Sequence, residues 1–197
     1  MSARASHVLL VLSAFLAGLV VFLAVFLYAT GQLGPRTSAS AVGGPFTLTD
    51  QDGKQITDAD LKGKPFLVFF GYTHCPDVCP TTLFDISEVM RALGPDADRT
   101  EALFISVDAD RDTPAVLKDY LSSFDPHVRG ATGNRGELDK VEKGYRVYAK
   151  KVPTGPGDYT MDHTALVYLM DKQGRFVAPF NLKLTPADAA ADLRKYM

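Results

Sequence analysis

Tryptophan is absent, and two cysteines are the whole thiol complement of 197 residues. A disulfide-stapled scaffold needs several pairs, and no Cys or His cluster supplies the four closed ligands of a structural zinc site. Both classes are excluded. An excess of either charge is missing too: 21 Lys plus Arg stand against 23 Asp plus Glu, which argues against nucleic acid as the partner. No internal repeat or low-complexity tract occurs, so solenoids and arrays drop out. No Arg-rich, Ser-rich amphipathic segment opens the chain, which favours a bacterial inner membrane over a mitochondrial one. What remains is 46% hydrophobic and 22% charged, the composition of one ordinary globular domain behind an apolar leader.

Charge is also missing from Val8 to Tyr28 (VLLVLSAFLAGLVVFLAVFLY). A helix of that length spans about 30 Å of hydrocarbon, so one transmembrane helix is expected. A cleaved signal peptide is the competing account, and Ala39 to Ala41 offers small residues. Its apolar region, however, usually runs only about 7 to 15 residues. Arg4 is the only Lys or Arg before the run, which keeps the N-terminus cytoplasmic and sends the domain to the opposite side. The expected organisation is a cytoplasmic end over 1–7, a transmembrane helix over 8–28, a tether over 29–44 rich in Gly31, Gly34, Pro35, Gly43 and Gly44, and a folded domain over 45–197.

Within that domain, Phe46–Thr49 and Lys54–Thr57 flank Asp52-Gly53, a hairpin signal. Pro65–Tyr72 (PFLVFFGY) is a continuous apolar run, as expected of a central strand covered on both faces. Leu83, Ile86, Met90 and Leu93 recur at helical spacing until Gly94-Pro95 stops them. Ala102–Val107 reads as a second buried strand, and Thr113-Pro114 opens a helix through about Phe124. Val128–Ala131 reads as a short strand and Glu137–Tyr145 as a helix. Strands over Thr164–Met170 and Arg175–Pro179 are joined by Asp171-Lys172-Gln173-Gly174, and Thr185-Pro186 starts a helix to the C-terminus. A hairpin, a parallel β-α-β unit, an insertion, then a hairpin and helix describe an α/β fold of the thioredoxin type.

The chemistry sits in Gly71-Tyr72-Thr73-His74-Cys75-Pro76-Asp77-Val78-Cys79-Pro80, where strand gives way to helix. Cysteines four apart share one face if the segment is helical, close enough to hold one metal ion or to close a disulfide. The positive helix end favours thiolate, which ligation and exchange chemistry both require. A purely stabilising disulfide is the bland alternative. A thioredoxin redox site uses C-x-x-C, one residue shorter and commonly beside Trp. A peroxiredoxin-type site places Thr three residues before its reactive Cys, whereas Thr73 is two before Cys75.

Four histidines could complete a site. His7 borders the apolar run, His127 follows Asp125-Pro126 in an apparent surface turn and reads as solvated, and His74 is adjacent to Cys75, where extended neighbours point apart. His163, just before a predicted strand, can approach both sulfurs from across the cleft, or can be an ordinary hydrogen-bonded histidine. Asp162 could hold an imidazole nitrogen or face solvent, and Asp77 reads as a helix N-terminal acid. The acidic stretch Asp108–Thr113 resembles a hard-cation loop, but Arg111 and the helix start favour ion pairing and capping.

Taken together, Phe70 to Pro80 (FGYTHCPDVCP), Val107 to Pro114 (VDADRDTP), Asp162-His163-Thr164-Ala165 with Tyr168-Leu169, and Gly174-Arg175-Phe176 closely resemble the Sco/SenC (PrrC-like) family, from about Gly43 to the C-terminus. No motif residue is missing. The resemblance implies a thioredoxin-like, membrane-anchored copper metallochaperone serving the binuclear copper centre of cytochrome c oxidase, with ligands Cys75, Cys79 and His163. Two thiolates and an imidazole suit Cu(I), which accepts low coordination and soft sulfur, and Cu(II) if a further donor joins. The implied partners are the oxidase's copper-accepting subunit, a periplasmic copper donor and a thiol reductant. The implied location is a bacterial inner membrane, single-pass, with the domain in the periplasm. The alternative is a thiol-disulfide reductase acting on the acceptor's cysteines through Cys75 and Cys79.

Overall fold

The structure, a computed structural model, describes residues 3–29 and 42–197. It divides into two compact units, Met1–Ala39 and Ser40–Met197. In the first, α1 (Ala3–Ala29) is a single helix of 27 residues. Its described apolar side chains, Phe15 and Phe22 among them, are exposed. The expected span over Val8–Tyr28 falls inside α1, but the side chains of 8–11, 24, 27 and 28 lie outside the described residues, as do most of the expected tether residues, 30–41. Among the described residues, no helix is long and apolar enough to cross a membrane.

The second unit runs β1 (Thr47–Asp50), β2 (Gln55–Thr57), β3 (Phe66–Gly71), α2 (Val78–Leu93), β4 (Glu101–Ser106), α3 (Pro114–Leu121), β5 (Val128–Thr132), α4 (Arg135–Tyr145), β6 (Ala149–Gly155), β7 (Asp158–His163), β8 (Val167–Met170), β9 (Phe176–Pro179) and α5 (Pro186–Arg194). Seven strands form one sheet in the order β2-β1-β5-β4-β3-β8-β9, and β6 and β7 form a second, two-stranded sheet. The apolar runs become β3 and β4, both buried along their whole length and paired in parallel from Phe66↔Glu101 to Gly71↔Ser106. Phe66, Leu67, Val68, Phe69 and Phe70 fill the core on both faces of the sheet. Because β8 runs antiparallel to β3, its N-terminal end lies beside the C-terminal end of β3, at the same edge of the sheet as the C-terminal end of β4. All site chemistry gathers at that end.

Both expected hairpins form: β1 pairs antiparallel with β2, β8 with β9, and Gly53 and Gly174 supply positive φ at the turns. Thr113 and Thr185 accept backbone N–H groups at the starts of α3 and α5. Boundaries differ where side chains compete for backbone. Thr164 exchanges hydrogen bonds with Tyr148 through its N–H and its hydroxyl, so it closes the β6-β7 hairpin and β8 starts only at Val167. The Ser122 hydroxyl takes the Asp119 carbonyl and ends α3 at Leu121, short of Phe124. The last three residues switch to i→i−3 bonds, so α5 stops at Arg194 before the C-terminus. The hairpin over Ala149–His163 occupies the stretch where alternation in the sequence marks no element.

Candidate metal centre

The cysteine turn is seated on the end of β3. A Cβ at Gly71 would lie 2.7 Å from Cys79 Sγ and 2.7 Å from Phe104 Cε2, so only glycine lets the sulfur rest against the strand. Cys75 lies ahead of α2 rather than inside it, and its N–H donates to the Tyr72 carbonyl at 3.3 Å. Cys79 is in the first turn of α2, buried, and its N–H donates to Cys75 Sγ at 3.4 Å. The pair therefore meets across the helix start, one sulfur outside and one inside. Both are free thiols.

A buried carboxylate holds the turn from beneath. Asp112, 1% exposed, accepts from Thr73 N–H at 3.0 Å, Thr73 Oγ1 at 2.6 Å and Ser106 Oγ at 2.6 Å. Three donors satisfy a charge that would otherwise be costly to bury. Nothing in the sequence distinguishes Asp112 from its acidic neighbours. Thr113 does cap α3 and Arg111 does pair with Asp108 at 2.5 Å, so the stretch works by capping and ion pairing.

His163 arrives on the last residue of β7, not on a loop. Its Nε2 lies 3.5 Å from Cys79 Sγ, and its Nδ1 lies 3.2 Å from the Thr164 carbonyl. A proton on Nδ1 donated to that carbonyl leaves the Nε2 lone pair facing the sulfurs. The ring stands edge-on to Tyr72 and Phe69, at centroid distances of 5.7 and 6.5 Å. The Tyr72 hydroxyl shares a 2.7 Å hydrogen bond with Thr160 Oγ1 on the same strand. One ligand atom each from Cys75, Cys79 and His163 all lie within 4.8 Å of one another, and among the described residues no other such group of Cys, His, Asp and Glu occurs.

The three groups differ in proton affinity. Burial works against the Cys75 thiolate, but N–H groups of Asp77, Cys79 and Val78 and the Cys79 thiol outweigh it and bring the pKa down. Burial pushes the Cys79 thiol well up, and the neighbouring Cys75 charge adds to the rise. Burial lowers His163 against the Thr164 carbonyl and Asp162, so the imidazole is neutral and able to ligate at neutral pH. The arrangement is a half-buried thiol that ionises more readily than an ordinary one, a buried thiol that must shed its proton to bind metal, and a pre-oriented imidazole.

The other sequence candidates stand apart. His74 is exposed, with Nδ1 3.1 Å from Thr73 Oγ1, and lies outside the three-residue group. The side chain of His7 is outside the described residues. His127 is not a solvated turn residue: its Nδ1 lies 2.6 Å from Asp125 and its Nε2 3.1 Å from Asp98, because the chain folds back to place Asp98 beside it. Asp77 occupies the N-cap of α2 but makes no capping bond. Asp162 faces solvent opposite Lys150, and the Thr164 carbonyl takes the place it could have filled beside His163.

The SCO1/SenC family model matches residues 34–197. The chain belongs to the SCO1/SenC family. It is 38% identical over 159 residues to the human mitochondrial SCO1 homolog, covering 79% of this chain and 53% of that protein, so it spans about half the length of that curated relative. The structure of Bradyrhizobium japonicum ScoI with copper bound is 70% identical, covers 79% of this chain and 99% of that one, and superposes with a TM-score of 0.78. A disulfide switch is described for BsSco, a member of the Sco family of cytochrome c oxidase assembly proteins. Its structure is 25% identical, covers 79% of this chain and 92% of that one, and matches at a TM-score of 0.63.

Proposed function

We propose that this SCO1/SenC chain binds one copper ion as cargo through Cys75, Cys79 and His163 and delivers it to the copper-accepting subunit of cytochrome c oxidase. The observation that carries the reading is the convergence of two sulfurs and one imidazole nitrogen within 4.8 Å. Soft thiolates favour Cu(I), and three ligands satisfy it, while zinc would recruit a fourth. The copper-bound ScoI relative and the assembly role described for BsSco support the assignment. An open three-ligand site suits delivery, because acceptor ligands can attack before the donor's leave. The α1 segment anchors the chain in a bacterial inner membrane by its uncharged run, with Arg4 keeping the N-terminus cytoplasmic and the domain in the periplasm. A periplasmic copper donor loads the site, and a thiol reductant keeps the pair open. The test is a Cu(I) titration of the reduced full-length chain. One copper per chain is expected, and unchanged stoichiometry and affinity in a Cys75→Ser, Cys79→Ser double variant would place the site elsewhere.

The contrast between the two thiols favours a second reading, reduction of an acceptor disulfide. The Cys75 thiolate attacks one acceptor sulfur and the other leaves as thiolate; Cys79, deprotonated, then displaces the first, giving an acceptor dithiol and a Cys75–Cys79 disulfide. The two electrons come from this chain's thiols, and the periplasmic reductant restores them. His163→Ala separates the readings, since copper affinity needs the imidazole and disulfide exchange does not.

A further inference from the structure

One short segment, between β4 and α3, touches both halves of the candidate centre. Asp112 holds the cysteine turn through Thr73. Asp108 and Arg111, four residues and one residue before it on the same segment, face the β6-β7 hairpin instead. Arg111 Nε pairs with Asp108 at 2.5 Å, and Arg111 Nη1 donates to the Tyr159 carbonyl at 3.0 Å. The Arg111 guanidinium lies 3.6 Å from the centroid of the Tyr159 ring and 5.9 Å from that of Tyr72. The Tyr159 hydroxyl donates to Asp108 at 2.7 Å and closes a ring of three residues. The other face of the contact is sealed by Lys151, which lies 4.0 Å from the Tyr159 centroid and pairs with Asp110.

Beside this contact, the hairpin is held to the rest of the domain by the Tyr72 hydroxyl on Thr160 and by the burial of Met161. Every residue of β6 after Ala149 is exposed, and Met161 is the only buried residue of β7. On a strand, Tyr159, Met161 and His163 share one face, so fixing Tyr159 fixes the direction from which the imidazole approaches the sulfurs. Asp108 is 1% exposed and Arg111 19%, so this ion pair is largely shielded from water and salt. Arg111 Nη2 is buried and without a hydrogen-bond partner, which leaves the aromatic faces of Tyr159 and Tyr72 as what the guanidinium packs on.

We propose that Arg111 is a positioning residue: it sets the distance between His163 and the cysteine pair by clamping Tyr159, while Asp112 fixes the cysteine turn independently. The proposal rests on the copper reading above and adds that the imidazole can be loosened without disturbing the sulfurs. It is tested on the full-length chain in detergent with Cu(I) alone as the probe. Arg111→Ala should weaken Cu(I) affinity by about 10- to 100-fold, the usual cost of losing a group that orients a ligand. The reduction potential of the Cys75/Cys79 pair should stay at the wild-type value. In a His163→Ala background the same substitution should cost nothing further. Arg111→Lys should restore only part of the affinity, because an ammonium keeps the charge but not the planar fork. In the metal-free chain, amide exchange over 149–163 should rise. Tyr159→Leu, at a half-exposed position, reads the same contact should Arg111→Ala fail to fold. Wild-type affinity with unchanged exchange, or an equal loss in the His163→Ala background, would overturn the proposal. Wild-type affinity in His163→Ala itself would remove the copper reading instead, and the exchange measurement would still decide whether Arg111 holds the hairpin.

Discussion

The cysteine turn grows out of β3, buried along all six of its residues, whereas His163 ends β7, whose partner strand β6 is exposed after its first residue. The first half of the centre inherits the rigidity of the core: Gly71 gives the Cys79 sulfur its seat, and Asp112 ties down Thr73. The second half depends on a few polar and aromatic contacts at the rim. The difference is one of support: core packing seats the sulfurs, while the imidazole is held from a separate element by its own contacts with Thr164, Tyr72 and Phe69.

The largest way to break the comparison is to consume the sulfurs. A disulfide between Cys75 and Cys79 uses both thiolates, so oxidation should release all bound copper while amide exchange in the hairpin stays near the metal-free value. Titrating Cu(I) across dithiol/disulfide buffers, with free thiols and bound metal followed together, checks this. Copper retained by the fully oxidised chain would contradict it. Next in size is the asymmetry inside the cysteine half. In the reduced, metal-free chain Cys75 should alkylate far faster than Cys79, with a rate that levels off below the ordinary thiol pKa of 9.0. Site-resolved mass spectrometry after a short iodoacetamide pulse reads it, and equal labelling would remove the distinction.

How much of this was legible in the sequence follows from the same contrast. The strand, cysteine turn and helix are written in a continuous apolar run, a C-x-x-x-C and a 3.6-residue period, because burial on both sides forces residue choice there. Asp52-Gly53 and Gly174 mark their hairpins because positive φ forces glycine. The β6-β7 hairpin (AKKVPTGPGDYTMDH) left no such mark. Its first strand is exposed after Ala149, so no apolar alternation is selected there, and Pro153 and Pro156 argue against a strand. The three proposed ligands were named through a family resemblance, but the strand that carries His163 was not legible. The roles of Asp112 and of Asp98 beside His127 depend on contacts distant in sequence, which no local pattern records.

A smaller effect sharpens the comparison at the seat of the sulfur. Gly71→Ala should cost about 1–3 kcal/mol, the usual range for overpacking a filled core, and should slow Cys79 reactions more than those of Cys75. Urea unfolding of the metal-free chain measures the first part, and a wild-type midpoint would show that the seat can relax. The smallest effect is a control far from the centre. His127 lies where β5 begins, at the opposite end of the parallel strands. Burial works against its protonation, but Asp125 and Asp98 outweigh it and raise its pKa above 6.5. A raised folded-state pKa means a contribution fully present below the unfolded value and lost as pH rises through the folded one. His127→Gln should therefore destabilise the chain more at about pH 5.5 than at about pH 8.5, with Cu(I) affinity unchanged at both. An equal loss at both pH values would mean that the ion pairs contribute nothing.

The central claim is that one copper is held by sulfur from the core and nitrogen from the rim. X-ray absorption at the copper edge of the reduced, Cu(I)-loaded full-length chain tests it most directly, with the wild type compared against His163→Ala. The account predicts two sulfur scatterers and one nitrogen per copper in the wild type, and loss of the nitrogen alone in the variant. A sulfur-only shell in the wild type, or an unchanged nitrogen contribution in His163→Ala, would contradict it.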